Sequence, residues 1–292
     1  MILTVIGLGE AGTAISQLIL THYRNNQLNI VDINLKHRGR IVDLSHAGVG
    51  NNNMISLNDK ELFEQSDYVF FCAGTRNLPG EPRETMGAKN HELLQSVFRN
   101  ISFSNNPVVI VISNPVDAMV SWLSKMKLAV KKVIGTGTLL DTWRLKLLIA
   151  EHAGVALESV KTAIYGEHGE GLVVIWSQTF IDGVPITDVY GEEELQELEL
   201  QLKQSAKEIR ETENATKYGV GAVAQFLLDS LLKADATDTI LSIGEGEQVA
   251  YGRPVRVSGS GIQCLPIEGL TSKEEGKLER SIKKIDKIVH TY

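Results

Sequence analysis

The chain opens with a short β-branched run, Ile2 to Ile6, followed at once by Gly7, Gly9 and Gly12 and then by Ala14, Ile15, Leu18 and Ile19 at helical spacing. A G-x-G-x-x-G spacing inside that frame leaves few options. A strand that turns directly into a helix needs one glycine for the tight turn, a second where a bulky group approaches the backbone, and a third where helix and strand touch. The first helical turn then offers unpaired N–H groups and a positive dipole end, which suit the pyrophosphate of a dinucleotide. Glycines that merely turn a chain need no acidic partner, yet Asp32 follows Gly12 by twenty residues at the end of the second apolar run. A carboxylate there accepts the hydroxyls of an adenosine ribose and repels a 2'-phosphate, which predicts NAD rather than NADP. Lys36, His37 and Arg38, just downstream, form a basic cluster that could meet such a phosphate.

Further compact apolar runs at Leu28 to Val31, Tyr68 to Cys72, Val108 to Ile112 and Lys132 to Ile134 read as buried strands. Leu93, Leu94, Val97, Phe98 and Ile101 form one face of an intervening helix. Such alternation predicts an α/β fold with a doubly wound parallel sheet. From about Thr138 the rhythm changes. A helix is expected from Leu139 to His152, stopped by Gly154, then strands and turns from Val160 to Ile186, and helix across Glu192 to Lys233. A capping box at Ser272 and Glu275 opens a last helix striped by Leu278, Ile282, Ile285 and Val289. The expected boundary is near Gly137, giving a dinucleotide-binding domain over 1–137 and an α+β substrate domain over 138–292.

Composition narrows the partners. A net charge of -7 over 292 residues argues against nucleic acid or an anionic membrane surface, and no apolar run approaches the roughly 18 residues of a membrane span. The opening residues carry no basic leader, so a cytoplasmic protein is expected. Cys72 and Cys264 read as free thiols in a reducing compartment. None of the seven histidines has zinc-type spacing, and no metal is expected.

Four further segments complete the pattern: Ala73 to Arg83 (AGTRNLPGEPR), Ser113 to Asp117 (SNPVD), Gly135 to Arg144 (GTGTLLDTWR) and Gly166 to Gly169 (GEHG). In this order and spacing the chain resembles, over essentially its whole length, the L-lactate and malate dehydrogenase family. Val133 to Thr142 is especially similar to the branch that reduces branched 2-oxo acids. The resemblance implies a Rossmann-type NAD domain joined to a substrate domain, a small 2-hydroxy or 2-oxo acid as substrate, and a homodimer or homotetramer. Lactate and pyruvate lead as substrates, with branched-chain 2-hydroxy acids and malate behind them; a catalytically silent NAD-sensing protein is the reading from another class.

Hydride transfer to or from a secondary alcohol needs a base for the hydroxyl proton, a clamp for the neighbouring carboxylate and a charge on the oxygen. His168, flanked by Gly166 and Gly169, suits the first task, and Asp141 and Arg144 leave one helix face at i, i+3. The resemblance implies that Asp141 holds the His168 imidazole, that Arg144 grips the substrate carboxylate as a fork, and that Arg83 closes onto the reacting oxygen from a lid over Thr75 to Gly87. It also implies that Asn114 bonds substrate, that Thr216 walls the pocket, and that Asn77 takes the discriminating position. Trp143 and Glu213-Asn214-Ala215 depart from the family pattern. Lys146 and Lys161 stand where allosteric bacterial relatives carry an arginine and a histidine that bind fructose 1,6-bisphosphate; two solvated surface lysines are the competing reading.

Overall fold

The computed structural model describes residues 1–75, 83–213 and 215–292, apart from the side chains at 35, 83–85 and 210. Asn77 lies outside the described residues, as does the side chain of Arg83. Six strands open the chain: β1 (Ile2–Ile6), β2 (Gln27–Val31), β3 (Met54–Leu57), β4 (Tyr68–Phe71), β5 (Val108–Val111) and β6 (Lys132–Gly135). They pair in parallel in the order β3-β2-β1-β4-β5-β6. The order reverses between β1 and β4, which opens a crevice at the carboxyl ends of those strands. Between and after the strands run α1 (Glu10–His22), α2 (Arg38–Gly48), α3 (Lys60–Glu64), α4 (Arg83–Phe98), α5 (Val116–Lys125) and α6 (Leu139–Ala153).

The second half contributes β7 (Val160–Lys161), β8 (Ile164–Gly166), β9 (Leu172–Val174), β10 (Phe180–Ile181), β11 (Val184–Pro185), β12 (Thr237–Ile243), β13 (Tyr251–Ser258) and β14 (Gly261–Cys264). Its helices are α7 (Glu192–Thr212), α8 (Lys217–Leu232) and α9 (Ser272–Thr291). β12 joins β6 antiparallel through Ser242 opposite Gly135, so the sheet continues through β12-β13-β8-β9 with β14 on the flank. β11-β10-β7 form a separate small sheet.

Both faces of the parallel sheet are covered, which explains the unbroken apolar runs of its strands. Ile6, Val69, Phe71, Val109 and Val111 face one core, closed by Met119 and Leu123 of α5 and by Leu278, Ile285 and Val289 of α9. Leu3, Val5, Ile30, Phe70 and Ile110 face the other, closed by Ile15 and Ile19 of α1 and by Val223, Ala224 and Leu227 of α8. Helices of the second half therefore complete the packing of the first.

The capping box sits at Thr271 and Glu274, one residue earlier than Ser272 and Glu275, because the Glu274 carboxylate also takes the Ser177 N–H (3.0 Å) and hydroxyl (2.7 Å). Helix fills most of Glu192 to Lys233, in two pieces: α7 ends at Thr212 and α8 starts afresh behind Thr216. Strands β3 and β12 to β14 were not foreseen. β3 is an edge strand with Met54 65% exposed, and β13 carries Pro254, a residue that argues against a strand on sequence alone. Gly154 ends α6 at φ +65°, in the left-handed position expected of it.

Candidate active site

Gly7, Asp32, Asn114 and Thr136 each follow a parallel strand, β1, β2, β5 and β6, so the sheet lines them along one edge. Gly7 has φ +88°, and a Cβ there would lie 2.6 Å from the Ala73 Cα that follows β4. A Cβ on Gly12 would overlap the Gly7 carbonyl oxygen, so α1 seats directly on the turn. A Cβ on Gly9 would meet nothing within 4 Å. Gly9 is also the N-cap of α1 and supplies no side-chain cap, which leaves first-turn N–H groups open. Asp32 anchors the adjacent loop: Oδ2 accepts the Leu8 N–H (2.6 Å) and contacts His37 Nδ1 (3.1 Å), while Oδ1 accepts the Asn34 N–H (2.6 Å). Burial alone would raise the Asp32 pKa; those backbone hydrogen bonds and His37 outweigh it and hold the carboxyl below its usual range. Arg40 adds a lock, donating to the Leu8 carbonyl (2.9 Å) and to Thr13 Oγ1 (3.0 Å).

The second group of residues forms where α6 meets β8. Thr142 Oγ1 donates to the Thr138 carbonyl (2.9 Å) and accepts the Ile164 N–H (3.2 Å), and the Thr138 hydroxyl donates to the Ile164 carbonyl. These bonds fix the start of α6 against the strand that leads into Gly166 (φ +86°), Glu167 and His168. A Cβ on Gly166 would sit 2.5 Å from Ser281 Oγ of α9, whose hydroxyl accepts the Glu167 N–H (2.7 Å). The histidine loop is thus held from both sides.

One carboxylate then bridges two cations. Asp141 Oδ2 lies 2.7 Å from His168 Nδ1, and Oδ1 accepts from Arg144 Nη1 at 3.0 Å. Arg144 Nη2 reaches Thr216 Oγ1 at 3.4 Å. The Asp141 side chain is 5% exposed and that of Arg144 15%, so the pair is largely withdrawn from solvent. Burial would raise the Asp141 pKa, but the charges of His168 and Arg144 and their hydrogen bonds win and lower it. For His168, burial lowers the pKa, yet the charge and hydrogen bond of Asp141, assisted by Asp117, leave it raised. With Nδ1 committed to Asp141, Nε2 is the ring atom free to exchange a proton with a ligand.

Asn114, joined to Pro115 by a cis peptide, accepts the Val116 N–H on its side chain at 3.4 Å. Its carbonyl accepts from Asn90 Nδ2 at 2.7 Å, and Asn90 Oδ1 takes the Thr75 N–H (2.7 Å). Asn90, 1% exposed on α4, therefore ties the base of the expected lid to Asn114. Trp143 stacks edge-on against Phe226 with centroids 5.4 Å apart, so the departure from pattern serves packing between α6 and α8. Lys161 extends over the Phe180 ring, 5.9 Å from its centroid. Among the described residues no three His, Cys, Asp or Glu side chains converge on a metal-sized site, and no helix is long and apolar enough to cross a membrane.

Residues 1–135 match the family described as lactate/malate dehydrogenase, NAD binding domain, and residues 138–292 match the lactate/malate dehydrogenase alpha/beta C-terminal domain. The chain belongs to the lactate/malate dehydrogenase family. Among its relatives in that family, an L-lactate dehydrogenase of Pseudothermotoga lettingae is 31% identical over 99% of this chain and 96% of the relative. One of Halalkalibacterium halodurans is 30% identical over 98% and 96%. The minor L-lactate dehydrogenase of Enterococcus mundtii superposes with a TM-score of 0.91 at 26% identity, over 99% of this chain and 97% of that one. A malate dehydrogenase of Plasmodium falciparum shares the fold, with a TM-score of 0.87 at 24% identity over 99% and 97%. In this member of the family Asp141 contacts both His168 and Arg144, and Arg144 reaches Thr216. Sequence reasoning passed over Asp117, Ser242, Ser281 and Asn90; only Asp117 left a trace, as an acid inside an otherwise apolar helix start.

Proposed function

We propose that the chain is an NAD-dependent L-2-hydroxy acid dehydrogenase that interconverts lactate and pyruvate. The observation that carries this reading is the single buried Asp141 carboxylate shared between His168 and Arg144. NAD, when bound, supplies the hydride acceptor or donor. The glycine turn fits it: open space over Gly9 and uncapped N–H groups of α1 would hold the pyrophosphate, with Asp32 at the ribose.

In the reducing direction Arg144 grips the carboxylate of the 2-oxo acid, and its guanidinium plane, oriented by Asp141 and Thr216, sets the angle of approach. His168, protonated and held by Asp141, hydrogen-bonds the 2-oxo oxygen through Nε2 and delivers its proton there as the alkoxide develops. Asp141 stabilises the imidazolium that donates this proton, and its charge and hydrogen bond raise the His168 pKa. Asn114 bonds the substrate, Thr216 walls the pocket beside Arg144, and Arg83 closes from the lid and excludes water. The protein works in the cytoplasm as a homodimer or homotetramer.

Arg144→Lys keeps the charge but loses the fork and the Asp141 bond geometry. The expected result is a KM for pyruvate raised roughly 100-fold, with NADH affinity within about twofold of wild type by fluorescence titration. Substrate choice rests on Asn77, which carries no cation for a second carboxylate. A dicarboxylate in the closed site would leave an unpaired anion at several kcal/mol, whereas asparagine, one methylene shorter than the glutamine that the family resemblance implies for lactate, makes room for a longer tail at about 0.8 kcal/mol per CH2. NADH oxidation with pyruvate, 2-oxoisocaproate and oxaloacetate in parallel tests this. Pyruvate and 2-oxoisocaproate should turn over and oxaloacetate poorly; preference for oxaloacetate overturns the lactate-type reading.

A further inference from the structure

Asp117 places a carboxyl group inside the protein core. Val116 through Leu123 of α5 are all buried, and Asp117 is 3% exposed among them. A carboxylate there is costly unless its acceptors are used. Both are: Oδ2 accepts the backbone N–H of His168 at 2.8 Å, and Oδ1 accepts the Ser242 hydroxyl of β12 at 2.5 Å. The Asp117 carbonyl takes the Ser121 hydroxyl (2.8 Å), which in turn accepts the Ala250 N–H (2.9 Å). α5, β12 and the loop that carries His168 are thus joined through one side chain.

We propose that Asp117 is a positioning residue for the reaction, fixing the His168 backbone and placing a second negative charge behind the imidazolium that donates the proton. The proposal rests on His168 being that donor. Burial, joined by the charge of Glu167, outweighs the hydrogen bonds from Ser242 and His168 and the charge of His168, so that the Asp117 carboxyl is raised to about 6. Its ionised form places a negative charge where His168 must stay protonated. Among the described residues, the other charges around the histidine are Asp141 and Arg144 on α6, the first favouring and the second opposing the imidazolium, and Glu167, paired with Lys284 of α9 at 2.7 Å. None of these bonds the histidine backbone in the way Asp117 does.

Asp117→Asn separates charge from geometry. Its amide oxygen still accepts the His168 N–H, and its NH2 donates to Ser242 Oγ, which can accept. Pyruvate reduction requires protonated His168, so kcat/KM is high below the His168 pKa and falls above it. Removal of a nearby negative charge lowers that pKa. The alkaline midpoint should therefore move down by roughly half to one pH unit, with NADH affinity within about twofold of wild type. Asp117→Ala loses both bonds as well, and should lower kcat roughly 10-fold or more at every pH, a loss that Asn restores below the midpoint. Ser242→Ala, which keeps the carboxylate but weakens its ionised form, should shift the midpoint the same way by less, and carries the test should Asp117→Asn fail to fold. A wild-type pH profile in the folded variant overturns the proposal. If Asp141→Asn shifts the profile in the same series, only the role of Asp117 has failed; if Asp141→Asn leaves it unmoved as well, the assignment of His168 has failed with it.

Discussion

His168→Ala should reduce kcat for pyruvate reduction by roughly 100- to 10,000-fold, the range of a lost general acid, and leave NADH affinity within about twofold. His168 contributes one side-chain bond, to Asp141 at 2.7 Å, and Asp141 keeps Arg144 at 3.0 Å when the imidazole is gone. The clamp for the substrate carboxylate is thereby preserved, so the deficit should fall on kcat more than on KM. The cofactor turn lies on other strands and should not register the change. Stopped-flow or steady-state NADH oxidation checks it. A variant that keeps more than a third of wild-type turnover would remove His168 from the chemistry.

Gly12→Ala should have the largest effect on the cofactor side. Its methyl would occupy the position of the Gly7 carbonyl oxygen, a backbone atom that cannot swing away, so α1 must lift from β1. Overpacking of this kind costs about 1–3 kcal/mol, and displacement of the helix N-terminus removes the N–H groups meant for the pyrophosphate. Expected outcomes are a lower melting temperature and NADH affinity weakened more than 10-fold. Gly9→Ala is the matched control. Its methyl meets no protein atom within 4 Å, so the fold should be untouched and only the bound dinucleotide should feel it. Wild-type melting and affinity in Gly12→Ala would mean that helix and turn are not seated as described.

The sheet was legible because its central strands are buried on both faces: all of β5, Val108–Val111, is inside, and no polar residue interrupts it. β3 was not, because an edge strand with Met54 and Leu57 half in solvent carries no comparable signal. β12 and β13 pair through seven registers, yet Asp238, Arg256 and Pro254 break the apolar pattern that each would need to be recognised alone. Thr271-Ser272-Lys273-Glu274-Glu275 contains two overlapping capping boxes, and a contact from Ser177, nearly a hundred residues away, selects the first. The site divides in the same way. Asp141 and Arg144 declare themselves by helical spacing and His168 by its glycines, all local features. Ser242 and Asp117 are 125 positions apart and meet only because β12 joins the sheet beside β6, a pairing that no local pattern encodes. Asn90 is invisible for the same reason, as an amide in α4 that becomes useful once Thr75 and Asn114 converge on it.

Reduction of a small 2-oxo acid divides into a hydride, which passes between the nicotinamide and carbon 2, and a proton, which a protein group handles. Mass spectrometry of the product made by the purified protein from pyruvate and NADH separates the two. In D2O with ordinary NADH, lactate should carry protium at carbon 2, deuterium being confined to the exchangeable hydroxyl. With NADH deuterated on the transferred face of its C4, lactate should gain one mass unit at carbon 2 in ordinary water. Solvent deuterium at carbon 2, or NADH that binds without any lactate being formed, would contradict the account.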